Sequence, residues 1–212
     1  MKKTLRNIEV CKLVNGHDLS LTLHEFTDNK PGPTLGLSAV IHGNENLAVE
    51  IFRRFSLELE NFNFKGRVVM LPVANPLALG SNTNRTPIDM NNLGTHFPGS
   101  KQGELSDQIA DAIVREYMSQ GDYFLDFHSG GAHLTEEHVL NYPGSEELGK
   151  MTGWKYSRML AEEPGSMLAY LATQNKPMVV VECGGGDQNN EYYVQRCLTS
   201  IKNTMKYLKM ID

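Results

Sequence analysis

No stretch of the sequence approaches the roughly 20 consecutive apolar residues that a membrane-spanning helix needs. Cysteine is scarce: Cys11, Cys183 and Cys197 are the three present, at unrelated spacings. An odd count without a Cys-x-x-Cys pair argues against a disulfide framework and a thiolate metal site, and fits a reducing compartment. Positive charge is not in excess, with 20 Lys and Arg against 25 Asp and Glu and a formal net charge of -5. Without a basic surplus to neutralise phosphates, general nucleic-acid binding is disfavoured. Arg6, Glu9 and Lys12 break up the N-terminal segment, so no signal peptide is expected. No Gly-x-Ser-x-Gly elbow occurs, which removes the commonest serine-hydrolase arrangement. The expectation is a cytoplasmic protein with no membrane or nucleic-acid partner, and homo-oligomerisation is left open.

What is present is ordinary globular composition: 212 residues, 40% hydrophobic and 21% charged. A chain of this length buries about 70% of its unfolded surface and needs no staples. One domain over residues 1–212 is expected. Residues 5–26 read as a hairpin around Asn15-Gly16, with Leu19, Leu21 and Leu23 alternating. Apolar runs at 34–41, 66–73, 122–127 and 178–181 read as buried strands, and 138–142 as a further short one. Helical spacing begins at Asn46 through Leu47, Ile51, Phe55 and Leu59. It recurs over 104–119, 166–174 and from 190 to near the end. Residues 74–103 read as a long loop rich in Asn, Pro and Gly, and loops of that length are often functional. Strands alternating with helices give an α/β fold with a mixed, mostly parallel sheet flanked by helices. Ligands in such sheets gather beyond the carboxyl ends of the strands.

The residues with chemistry stand at those ends. His42-Gly43-Asn44-Glu45 lies between a strand and a helix, and its His-x-x-Glu spacing can aim an imidazole and a carboxylate at one Zn²⁺. Alone, the same pattern is also a turn with a carboxylate favoured at a helix start. His128 ends another strand and would be a third ligand, leaving a fourth position for water. Asp126 lies two residues earlier on the same face and could orient His128. Glu182 ends an apolar run before a glycine stretch, where it could serve as a general base or be merely a strand-end acid. Arg85, in the long loop, could bind a carboxylate or polarise a carbonyl, or be solvated. Cys183 has no assignable base and reads as a buried thiol.

The order of these pieces resembles the succinylglutamate desuccinylase/aspartoacylase family, relatives of the zinc carboxypeptidases. The matching pieces are His42-Gly43-Asn44-Glu45, Ala74-Asn75-Pro76, Arg85 through Asp89, Phe97-Pro98-Gly99, Asp126-Phe127-His128 and Glu182-Cys183-Gly184-Gly185. The resemblance implies a zinc-carboxypeptidase-like fold and one zinc per chain, held by His42, Glu45 and His128. It implies Glu182 as general base and acid, and Arg85 as a carbonyl-polarising or substrate-binding group. The implied activity is zinc-dependent hydrolysis of an N-acyl amide, a carbon–nitrogen bond, in a small-molecule substrate. A carboxypeptidase and a zinc-binding relative without turnover are the alternatives.

Two departures stand out. The family usually carries Asn-Arg, which grips a substrate carboxylate, where this chain has Gly94-Thr95. Asn91 and Asn92 lie beside them as candidate substrate contacts but supply no cation. The expected substrate therefore has an amine portion without a free carboxylate. The chain also ends just past its last expected helix, without the small C-terminal β domain that family members often carry.

Overall fold

The structure is a computed structural model that describes residues 1–160, 164–185 and 191–212. Strands β1 (Lys2–Lys12) and β2 (Asp18–Thr27) form the hairpin expected around Asn15-Gly16. Gly16 turns it at a φ of 85°, in the left-handed region that glycine adopts without strain. The remaining strands are β3 (Thr34–Ala39), β4 (Arg67–Leu71), β5 (Tyr123–His128), β6 (Leu134–Asn141), β7 (Ser157–Met159) and β8 (Met178–Gly185). Among the described residues these eight form one sheet in the order β1-β2-β4-β3-β5-β8-β6-β7. The central run β4-β3-β5-β8 is parallel throughout, the hairpin pairs antiparallel within itself and with β4, and β6 pairs antiparallel with β8 but parallel with β7. The sheet is thus mixed with a parallel centre, as expected.

The centre is parallel because its strands are covered on both faces. Every residue of β3 is buried, which is why it reads as a continuous apolar run rather than an alternation. Helices α1 (Leu47–Leu59) and α6 (Glu191–Tyr207) cover one face through Phe52, Phe55, Leu198 and Ile201. Helices α3 (Leu105–Ile113) and α5 (Met167–Thr173) cover the other through Ile109, Ile113 and Leu171. Strand β5 serves both sides by period-two alternation: Phe127 meets Phe52 edge-to-face at 5.6 Å, and Phe124 meets Tyr117 at the same separation on the opposite face. The helix expected over 104–119 is α3 followed by one wider turn at Val114–Met118.

Five elements differ from the sequence expectation. The long loop contains a short helix, α2 (Pro76–Ser81), which Asn75 caps by accepting from the Ala78 amide, with Pro76 in the first turn. A six-residue helix, α4 (Glu146–Met151), and the three-residue edge strand β7 were not expected at all. Strand β6 begins earlier than expected and β8 continues past Glu182 to Gly185, because the two pair antiparallel from Leu134↔Gly185 to Asn141↔Val179.

Candidate metal centre and active site

The site gathers at the carboxyl ends of β3, β5 and β8. After Ala39 the chain leaves β3 through Val40, whose φ is +60°. A β-branched residue rarely takes that conformation, so the turn is held from outside. The Ala74 and Asn75 amides donate to the carbonyls of Ala39 and Val40 at 2.9 Å. Gly43 follows, pressed so closely on the Ala78 backbone of α2 that a Cβ would collide with it. These two constraints bring His42 and Glu45 back over the end of the sheet.

Each histidine then faces Glu45 with the same ring nitrogen. Nδ1 of His42 lies 2.8 Å from Glu45 Oε1, and Nδ1 of His128 lies 2.9 Å from Glu45 Oε2. The rings meet edge-on with centroids 5.1 Å apart. Ligand-capable atoms of His42, Glu45 and His128 all lie within 4.8 Å of one another. Two imidazole nitrogens and a carboxylate oxygen converging on one point form a donor set suited to Zn²⁺.

The far nitrogens are fixed as well. Nε2 of His128 lies 2.8 Å from Asp126 Oδ2, and the Ser38 hydroxyl donates to Asp126 Oδ1 at 2.8 Å. Nε2 of His42 lies 2.9 Å from Asn92 Oδ1. The Ser129 amide donates to Glu45 Oε2 at 3.2 Å. Burial alone would lift the Glu45 carboxyl, but hydrogen bonds from His128 and His42 outweigh it and hold it at about 2. Burial alone would lower His128, and the carboxylates of Asp126 and Glu45 instead raise it well above the ordinary histidine range.

Glu182 lies across from these groups. The β5–β8 register pairs it with His128, and the β6–β8 register pairs it with His138. Burial lifts its carboxyl above the usual range, against the pull of His128. Glu182 lines a cavity of about 320 Å³ together with the polar side chains of His42, Asn92, Asp126 and His128. Much of the remaining wall is apolar: Leu140, Leu160, Met167, Leu168, Met178 and Val180.

The structure thus gathers His42, Glu45, His128, Asp126 and Glu182, the residues expected together. Arg85 lies elsewhere. It is exposed, donates from Nη1 to the Met90 carbonyl at 3.0 Å, and does not line the cavity. Asn91 donates to Glu104 instead of facing the cavity. Asn92 does face it, but as the partner of His42. Ser38, Ser129 and the aliphatic wall were not singled out from the sequence. Cys183 is buried, with its Sγ 3.0 Å from that of Cys197. Gly186, the end of the glycine stretch, lies outside the described residues.

Comparison with known proteins shows the family. The profile of the succinylglutamate desuccinylase/aspartoacylase catalytic domain matches residues 31–208. The chain is 32% identical over 166 residues to the N-alpha-acetyl-L-2,4-diaminobutyric acid deacetylase of Halomonas elongata. That match covers 73% of this chain and 48% of the relative, so it spans about half the relative's length. An aspartoacylase family protein from Mesorhizobium loti superposes with a TM-score of 0.87 at 26% identity, covering 99% of this chain and 68% of that one. The product-bound ectoine utilization protein EutE (DoeB) of Ruegeria pomeroyi gives a TM-score of 0.88 at 22% identity, with the same coverage, and shows the fold. The profile match takes in the His-x-x-Glu segment, the histidine ending β5 and the glutamate of β8, and the chain belongs to the succinylglutamate desuccinylase/aspartoacylase family.

Proposed function

We propose that the protein is a zinc-dependent deacylase that hydrolyses an N-acyl amide bond in a small molecule. The observation that carries the proposal is the convergence of both Nδ1 atoms on Glu45, with the buried carboxyl of Glu182 facing them across one cavity. The family supports chemistry on acylated amines.

His42, Glu45 and His128 would hold one Zn²⁺, which supplies Lewis acidity at the amide carbonyl and acidifies a water nearby. The rest is done by the chain. Asp126 and Asn92 hold the two imidazoles so that Nδ1 of each points inward. Glu182 takes the proton from the attacking water and delivers it to the leaving nitrogen. Its raised affinity for protons suits both halves of that task. Arg85 is assigned to the substrate carbonyl by the family resemblance. It must leave the Met90 carbonyl to reach a bound amide.

Metal analysis of the purified protein, followed by a screen of N-acylated amines, amino acids and amino sugars, tests the reading. Near-stoichiometric zinc with turnover supports it. Zinc without turnover across that panel overturns it in favour of a binding protein.

A further inference from the structure

We propose that the amine half of the amide carries an uncharged, apolar substituent that lies along Met178 and Val180. The inference rests on the deacylase reading and names the substrate class for that same site.

Strand side chains alternate, so Met178, Val180 and Glu182 share one face of β8, and all three line the cavity. Glu182 must reach the leaving nitrogen to protonate it. The group carried by that nitrogen therefore extends back along the strand, over Val180 and then Met178. There it also meets Leu140 and Met167 from other elements.

Among the described residues a carboxylate finds no cation in that space, only neutral donors such as the Asn92 side-chain amide. The Gly94 amide already donates to Asn92 Oδ1 at 2.9 Å, and the Thr95 hydroxyl to the Asn92 carbonyl at 2.9 Å. Ser166 Oγ caps α5 by accepting from the Ala169 amide, which leaves it a single neutral O–H to offer. Among the described residues no lysine or arginine lines the cavity, and Arg85, the cation assigned to the bound amide, is taken by its carbonyl. The segments outside the description, 161–163 and 186–190, read Ala-Glu-Glu and Gly-Asp-Gln-Asn-Asn, with no cation in either. The metal end cannot accept the carboxylate without giving up the position the amide carbonyl needs. A buried carboxylate without a cation is strongly disfavoured, whereas each methylene laid on this wall is favourable.

The zinc-loaded protein is tested with two series: N-acetyl-n-alkylamines from methyl to pentyl, and N-acyl-methylamines whose acyl chain grows by the same steps. A third comparison sets N-acetylnorleucine against its neutral amide. kcat/KM is expected to rise about fourfold per methylene in the amine series, to stay flat in the acyl series, and to favour the neutral amide by about tenfold or more. Val180→Thr, which keeps the shape, should flatten the amine series.

A non-cleavable N-pentyl methanesulfonamide gives a readout apart from turnover, by the ¹³C-methyl signals of Met167 and Met178. Shifted methyl signals without hydrolysis of any substrate leave the pocket assignment standing and defeat the deacylase reading. Hydrolysis that favours the free acid tenfold, or that gains only with acyl length, overturns the pocket assignment alone. So do methionine signals that the sulfonamide does not move.

Discussion

Asp126 and His128 form a buried contact of 2.8 Å at Nε2, while the opposite nitrogen of the same ring faces Glu45 at 2.9 Å. A neutral imidazole has one N–H, so it can donate to only one of two carboxylates. Facing both, the His128 ring binds a second proton more readily than a free imidazole, in line with its raised affinity for protons. A metal ion takes Nδ1 of a ring that has lost one proton. Metal binding therefore releases about one proton near neutral pH, and metal affinity rises with pH until the raised His128 ionisation is passed. Calorimetry of zinc binding in buffers of different ionisation enthalpy measures this. A heat independent of buffer would show that His128 is already neutral.

Replacing the ligand gives a coarser test. His128→Ala removes one of three protein ligands and should lower zinc affinity by orders of magnitude. Zinc content unchanged after dialysis against a chelator would remove His128 from the ligand set.

Asn92 separates two roles by experiment. As the anchor of His42 Nε2, its loss in Asn92→Ala should weaken metal affinity about 10–100-fold, the usual cost of losing such a partner. KM measured at saturating zinc should change little. The reverse pattern, intact zinc affinity with a raised KM, would return Asn92 to the substrate-binding role expected from the sequence.

Glu182→Gln keeps the shape and removes the proton acceptor. General acid–base catalysis contributes about 10²–10⁴-fold, and a loss of at least that size in kcat is expected, with zinc content unchanged. Retention of most activity would make Glu182 a strand-end acid and require another base.

The site was legible where one local pattern ended in one polar residue. Buried runs stop at His42 and run into His128 and Glu182, and an apolar strand has little reason to place imidazoles or a carboxylate there otherwise. Asp126 was legible because strand side chains repeat every two residues. The Asn92–His42 contact spans fifty positions, and no local spacing reports it. The aliphatic wall draws Leu140 from β6, Met167 and Leu168 from α5, and Met178 and Val180 from β8. Each of these reads locally as ordinary core. Helix α4 buries only Leu148 and Gly149, too few for a periodic signal. All three residues of β7 are exposed, so no alternation marks it as a strand, and pairing with β6 alone defines it. Helix α2 was signalled by Asn75-Pro76, a capping residue followed by a first-turn proline, but the surrounding loop composition masked it.

Gly43 links the packing of the long loop to the metal centre. It follows His42 directly, its amide donates to the Thr83 carbonyl at 2.8 Å, and a Cβ there would strike the Ala78 backbone. Backbone cannot rotate aside as a side-chain tip can, so Gly43→Ala must push either α2 or the His42–Glu45 turn outward. Overpacking of this kind typically costs about 1–3 kcal/mol. The turn rests on only a few hydrogen bonds, including those from Ala74 and Asn75 to the carbonyls of Ala39 and Val40, and is the more yielding partner. Gly43→Ala should therefore lower the melting temperature of the metal-free protein modestly and reduce zinc affinity more than that loss alone explains. Thermal melts with and without zinc separate the two effects. A variant whose zinc-induced stabilisation equals that of the parent would show that α2 moves and the ligand turn does not.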